Sequence, residues 1–203
     1  MNVEEALERI RTYKKRNFVQ TIDLIVTLKH LDLKKPENRV TKEIVLPHGT
    51  GRDVKICLIT KDNGFTKEKI EEMGKDKKTA KRFAKSYDFF LASAELMPAI
   101  GKALGRFLAP AGKMPSPIPP NMSREGIEKL IEQKRKSVLI KIKTQPQVQI
   151  PVGKENMSNE EIKENVEHAL REIVNSLPKG RSHVKQVLIK GTMTPAYRIE
   201  VKF

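Results

Sequence analysis

Apolar residues recur along the chain with two different periods. Val3, Ala6, Leu7, Ile10 and Tyr13 are spaced by three and four residues, which predicts an amphipathic helix at the N-terminus. Glu4 and Glu5 sit near its favourable positive end. After a basic knot of Lys14, Lys15 and Arg16 the period drops to two: Ile22, Leu24, Val26 and Leu28 alternate with Asp23, Thr27 and Lys29, as in a half-buried strand. A turn at 35–38, Lys-Pro-Glu-Asn, is expected to return the chain into a second strand over 40–46. Pro47, His48, Gly49, Thr50 and Gly51 stop it.

Beyond this break the pattern predicts a compact strand over 54–60, helices over 65–73 and 79–85, and a strand over 87–92. Met97, Ile100, Leu104 and Leu108 fit one helical stripe, with Pro98 acceptable in a first turn. A Pro-rich loop is expected over 109–120. A helix capped by Ser123 and carrying Ile127, Leu130 and Ile131 follows, then strands over 137–143 and 148–152. Pro151, Val152 and Gly153 read as a second break. Ser158 and Glu161 form a capping box for a helix with the stripe Ile162, Val166, Ala169, Leu170, Ile173 and Leu177. Strands over 184–190 and 196–202 close the chain.

Two similar breaks imply an inserted domain. The expected fold class is α/β and α+β. An outer split α+β domain is built from 1–49 and 151–203, with a Rossmann-like three-layer α/β domain inserted over 50–150. Hinges near 47–51 and 150–154, with Pro47, Gly49, Gly51 and Gly153 as their residues, would absorb rotation between two packed bodies.

Composition narrows the partner. The 203 residues hold 40 Lys+Arg against 25 Asp+Glu, a net charge of +15, with 38% hydrophobic residues and no Trp. A polyanion is the expected partner, a phosphate backbone before an acidic membrane, since no basic amphipathic helix with large apolar residues stands out. No apolar run approaches the roughly 20 residues of a membrane span. One cysteine, Cys57, forms no internal disulfide and reads as core. A cytosolic protein is expected. Over 50–150 there are 21 Lys+Arg against 11 Asp+Glu, or +10, making the insert the more basic part.

Catalytic signatures are missing. His30, His48, His168 and His183 show no metal-ligand spacing, so neither a metal nor another cofactor is expected. His48 reads as a hinge hydrogen-bonder and His168 as a solvated helix residue. Gly105, Gly112 and Lys113 have the wrong spacing for a phosphate loop, and Met114 stands where a hydroxyl would hold magnesium. The basic run 74–82, Gly-Lys-Asp-Lys-Lys-Thr-Ala-Lys-Arg, reads equally as a solvated helix face or as a contact to phosphates.

Four segments, in order, carry a resemblance. A-I-G-K-A-L-G-R-F-L-A-P-A-G-K-M-P-S-P over 99–117 resembles the signature of the universal stalk protein family of the large ribosomal subunit, ribosomal protein L-one. Pro110, Gly112, Met114, Pro115 and Pro117 keep the frame, while Ala109, Lys113 and Ser116 replace a Gly, an apolar residue and an Asn. V-L-P-H-G at 45–49 and P-V-G-K at 151–154 are similar to the family's two hinges. G-T-M-T-P at 191–195 is similar to its T-M-G-P, with Thr194 in place of Gly. The compact N-terminus looks like the archaeal branch.

The resemblance implies a ribosomal protein, not an enzyme, whose outer domain grips the mobile rRNA stalk of the large subunit and assists release of exit-site tRNA. It further implies repression of translation by binding its own mRNA, and a monomer off the ribosome. By position it points to Phe18, Thr21, Thr192 and Met193 as RNA-contacting residues. Arg16 could meet phosphate, a hydroxyl at Thr21 or Thr192 could read a 2′-OH, and Lys154 could reach RNA from beside the hinge. The competing reading is an enzyme using a nucleotide or phosphorylated substrate in a cleft between the domains.

Overall fold

The computed structural model describes residues 1–14, 16–35, 38–119 and 122–200. In chain order the elements are α1 (Val3–Thr12), β1 (Thr21–Leu28), β2 (Val40–Val45), β3 (Ile56–Ile59), α2 (Lys67–Lys75), α3 (Lys77–Ser86), β4 (Phe89–Ser93) and α4 (Met97–Ala103). There follow α5 (Gly105–Ala111), β5 (Ser116–Ile118), α6 (Arg124–Lys136), β6 (Ser137–Ile142), β7 (Gln147–Lys154), α7 (Asn159–Ser176), β8 (Val184–Gly191) and β9 (Ala196–Ile199). The fold is mixed α and β, and the chain divides into two compact units, Met1–Arg52 with Lys136–Phe203, and Asp53–Arg135.

The first unit is built on an antiparallel sheet of order β7-β1-β8-β9. Its strands alternate: Ile22, Leu24, Val26 and Leu28 of β1 are buried, as are Val148, Ile150 and Val152 of β7 and Val187 and Ile189 of β8. They share one core with Val3, Ala6, Leu7 and Ile10 of α1 and the fully buried Ile162, Val166, Ala169, Leu170 and Ile173 of α7. Asn2 caps α1, accepting from Val3 N, and the Ser158–Glu161 capping box forms at the start of α7. Both helices thus start where the sequence gives their first-turn amides an acceptor.

Four expectations are corrected here. Strand β2 does not turn back on β1; it pairs antiparallel with β6, Ile44 opposite Val138 and Val40 opposite Ile142. The turn at 35–38 lies partly outside the described residues, as does the end of the strand expected over 196–202. Residues 136–150 therefore belong to the first unit, and the chain re-enters it at Arg135–Lys136 rather than at 150–154. Pro151, Val152 and Gly153 are no break: they lie in β7, where the register slips between Ile22 and Asp23 so that Gly153 faces Ile22 and Pro151 faces Asp23. β7 is an edge strand and the slip is a bulge, the two settings in which a strand tolerates proline. With these bounds the charge balance reverses: Asp53–Arg135 holds 17 Lys+Arg against 11 Asp+Glu, or +6, and the remainder +9.

The second unit holds a parallel sheet, β3-β4-β5, with Ile56 opposite Phe89 and Leu91 opposite Ser116. Its own core joins Ile59, Ile70, Phe90, Leu96, Ile100, Leu104 and Leu108. The rings of Phe65, Phe83, Tyr87 and Phe90 form a chain of contacts with centroids 5.3–6.2 Å apart. Gly74 is buried where α2 packs closely on α4, since a Cβ there would stand 2.8 Å from the carbonyl oxygen of Ala103. The expected single helix over 97–108 is two helices meeting at Leu104. The expected Pro-rich loop contains the last turn of α5, a left-handed Gly112 cap, and the edge strand β5, whose Pro117 needs no ladder N–H. Lys113, the departure from the resemblance's apolar position, donates from Nζ to the Tyr87 and Ala84 carbonyls at 2.7 and 3.2 Å and so satisfies the end of α3. Cys57 is buried, and burial pushes its thiol up to about 11.

The depth of these positions orders their contribution to stability. Leu170→Ala is expected to lower the unfolding free energy by about 2–5 kcal/mol, as for other fully buried leucines. Ile131→Ala, on the half-buried stripe of α6, is expected to cost less than half as much. Urea unfolding of the two variants checks the ranking; equal losses would contradict this ordering by depth.

Candidate nucleic-acid interface

Strand β1 begins, β8 ends and β7 ends at one end of the four-stranded sheet, and the side chains there are polar where the core pattern asks for apolar ones. The alternation of Ile22, Leu24, Val26 and Leu28 runs back in phase to Gln20, which is accordingly buried. A buried amide needs partners, and this one finds them in two other segments. Its Oε1 accepts from Met193 N at 3.0 Å and its Nε2 donates to Glu155 Oε2 at 3.4 Å, while the backbones of Gln20 and Glu155 pair at 2.9 Å. Gln20 thus ties the start of β1 to the loop after β8 and to the end of β7.

One residue on, Thr21 and Thr192 interlock. Thr192 N donates to Thr21 O at 3.1 Å, and the Thr192 hydroxyl accepts from Thr21 N at 3.1 Å and donates to Thr21 O at 3.3 Å. A hydroxyl has one proton and two lone pairs, so one lone pair of the exposed Thr192 Oγ1 is left for an outside donor. Thr21 also faces Lys154 across the β1–β7 ladder. Met193 is 52% exposed and Phe18 51%, two of the few large apolar side chains at the surface, with Val19 between Phe18 and Gln20 equally open. Arg16 is exposed two residues before Phe18.

The structure thus brings Thr21, Lys154, Thr192 and Met193 together through named bonds and register, and adds Phe18 and Arg16 by chain continuity. Gln20 and Glu155 were missed in the sequence, although the in-phase position of Gln20 on a buried face was a readable signal. Thr194 resolves the main departure from the resemblance. It is buried, its φ is not left-handed, and its Oγ1 accepts from Gly191 N at 2.9 Å and bonds the Pro195 carbonyl at 3.1 Å. The loop is closed by a side-chain hydroxyl, so the position demands nothing that only glycine supplies.

The first break is also held from within. Asn165, fully buried in the apolar stripe of α7, donates from Nδ2 to Gly49 O and Val152 O, both at 2.8 Å, and accepts from His48 N at 3.1 Å. His48 Nε2 lies 2.6 Å from Glu164 Oε2. Gly49 and Gly51 take φ of +66° and +63°, backbone that side chains resist. A Cβ on Gly51 would also meet Met157 Sδ at 3.2 Å. Pro47 is exposed. Gly153, by contrast, is a paired strand residue beneath Ile162.

On the sheet face away from the core, Asp23 sits two residues from Thr21. Burial pushes its carboxyl above the ordinary aspartate value, opposed by a hydrogen bond from Gln149 and the charge of Lys190. A folded-state pKa above the unfolded one means that ionisation destabilises the fold once pH rises past the unfolded value. Asp23→Asn is therefore expected to raise the melting temperature at pH 7, with the gain vanishing as pH falls below the ordinary aspartate range. A gain independent of pH would contradict this origin. Thr194→Val is expected to cost about 1–3 kcal/mol by stranding Gly191 N–H, and Thr194→Ser to stay near wild type in the same unfolding measurement.

Comparison with known proteins adds the family. Residues 10–195 match the model of the ribosomal protein L1p/L10e family. The chain is 44% identical to large ribosomal subunit protein uL1 of Thermococcus kodakarensis, covering 98% of this chain and 96% of that one. It is 43% identical to the protein of the same name from Pyrococcus horikoshii, over 98% and 94%. A third, from Methanocaldococcus jannaschii, is 42% identical over 92% and 89%. These relatives are archaeal, as the resemblance led us to expect, and their names are those of ribosomal proteins, not of enzymes. With its four motifs in order and nearly its whole length matched, the chain belongs to the ribosomal protein L1p/L10e family.

Proposed function

We propose that this chain is a structural constituent of the large ribosomal subunit, acting in the cytoplasm as a monomer until it joins the ribosome. Its rRNA contact is the sheet end built by Thr21, Lys154, Thr192 and Met193 with Arg16 and Phe18. The observation that carries this reading is the Thr21–Thr192 interlock, which holds a hydroxyl with a spare lone pair beside an exposed Met193. Such a group accepts from a ribose 2′-OH, exposed apolar side chains pack on sugar or base faces, and lysine and arginine neutralise phosphate.

The finer reading is that the bound RNA is the mobile rRNA stalk, that the protein assists release of exit-site tRNA, and that it represses translation by binding a similar structure in its own mRNA. It divides the chain into an outer α+β domain and an inserted α/β domain, here bounded at 53–135. Rotation between them would be absorbed near 51–53 and 135–136, since Asn165 holds 48–49 and the β1–β7 ladder holds 150–154. No cofactor is part of this reading.

Binding of the full chain to a large-subunit rRNA stalk fragment, against an unrelated RNA of equal length, tests it. Phe18→Ala is expected to weaken stalk binding by roughly 1–3 kcal/mol, the range for removing a base-stacking partner, and Thr192→Val by about 0.5–1.5 kcal/mol for one lost hydrogen bond, while Thr192→Ser retains it. Wild-type affinity in folded Phe18→Ala and Thr192→Val variants would overturn the site, and equal affinity of the wild type for both RNAs would overturn the function.

A further inference from the structure

Helix α3 carries a charge pattern that its own stability does not require. Lys78, Lys81, Arg82 and Lys85 fall at i, i+3, i+4 and i+7, one stripe roughly 100° wide and about 10 Å long, and all four are exposed. Ala80 and Ala84 are buried on the opposite side, with Phe83 among the aromatic rings. From Lys77 to Ser86 the helix holds no acidic residue.

That arrangement works against the helix. Like charges at these spacings repel, and Lys77 and Lys78 occupy the first turn, where the dipole disfavours cations. The N-cap Asp76 offsets part of this; its carboxyl is held below its ordinary value mainly by the Thr79 hydroxyl, with a smaller share from Arg82. None of the four stripe cations forms an ion pair with a described residue. Helix α7 shows the contrast, with Lys163 paired to Glu4 and Arg171 near Glu167. The stripe also concentrates its unit's charge: without it, the +6 of Asp53–Arg135 falls to +2.

We propose that this stripe is a second nucleic-acid contact, separate from the sheet-end cluster, which takes the phosphate backbone of RNA without reading its sequence. The choice of RNA among polyanions rests on the ribosomal reading above. A bilayer is disfavoured because the apolar residues of α3 face the core, leaving nothing to insert between lipids. Sequence preference is not expected, since the exposed face offers point charges and no aromatic ring on which a base could stack.

The test is a salt series of full-chain binding to a 20-base-pair RNA duplex of unrelated sequence. The variant K78Q/K81Q/R82Q/K85Q keeps good helix formers, and circular dichroism is the check that it folds. Its log-affinity against log-salt slope is expected to fall by about two or more, near one for each phosphate no longer neutralised. The control K67Q/K69Q/K102Q/K129Q removes the same charge from the same unit and is expected to keep the wild-type slope. An unchanged slope in the stripe variant, or an equal fall in both, overturns the proposal. So does stripe-dependent binding to phosphatidylserine vesicles with RNA binding unaffected. Should the fourfold variant not fold, K81Q/K85Q is expected to show about half the effect, and no effect would overturn the proposal. Failure of the ribosomal reading would appear separately, as no preference of the wild type for the stalk fragment over the duplex.

Discussion

A buried side-chain amide has to be satisfied, and at the end of the four-stranded sheet that requirement gathers three distant segments. Gln20 lies on the core face of β1, in phase with four aliphatic residues, and reaches Met193 and Glu155, more than 130 residues away in sequence. Without those bonds its desolvation would be uncompensated. With them, Met193 and the Thr192 hydroxyl are fixed relative to Thr21, and a loop that could otherwise adopt many conformations presents one. The exposed side chains that would meet RNA are therefore set by a residue that never touches solvent.

Asn165 does the same at the first break. It is the one polar position in the buried stripe of α7, and its three hydrogen bonds fix the backbone of His48 and Gly49 against Val152. A helix amide thereby stands in for strand pairing at the point where β2 has ended. Polar side chains on core faces act in this protein as fasteners between segments, one at the sheet end proposed to meet RNA and the other at the crossing into Asp53–Arg135.

Much of the secondary structure was legible because its causes are local. The alternation of Ile22, Leu24, Val26 and Leu28, the capping box at Ser158 and the stripe of α7 all depend on neighbours within a few residues. Pairing was not legible in the same way. β2 finds β6 nearly a hundred residues later, and nothing within 40–45 distinguishes that partner from β1. Proline misled twice, at Pro117 and Pro151, since an edge strand or a bulge removes the hydrogen bond that proline lacks and the sequence does not say which strand is an edge. Phe18, Thr21, Thr192 and Met193 came from the resemblance; Gln20, Glu155 and Asn165, which position their surroundings, came only from the structure. The wish for glycine at Thr194 dissolved once its hydroxyl was seen to close the loop.

The central claim is that RNA lands on the sheet end organised by Gln20. Amide chemical-shift perturbation on titrating the isotopically labelled chain with the large-subunit rRNA stalk fragment tests it most directly. The account predicts the largest shifts at Phe18, Thr21, Lys154, Thr192 and Met193, and little change at Lys29 and Lys185 at the opposite end of the same strands. Shifts concentrated at that opposite end, with Thr192 and Met193 unmoved, would contradict it.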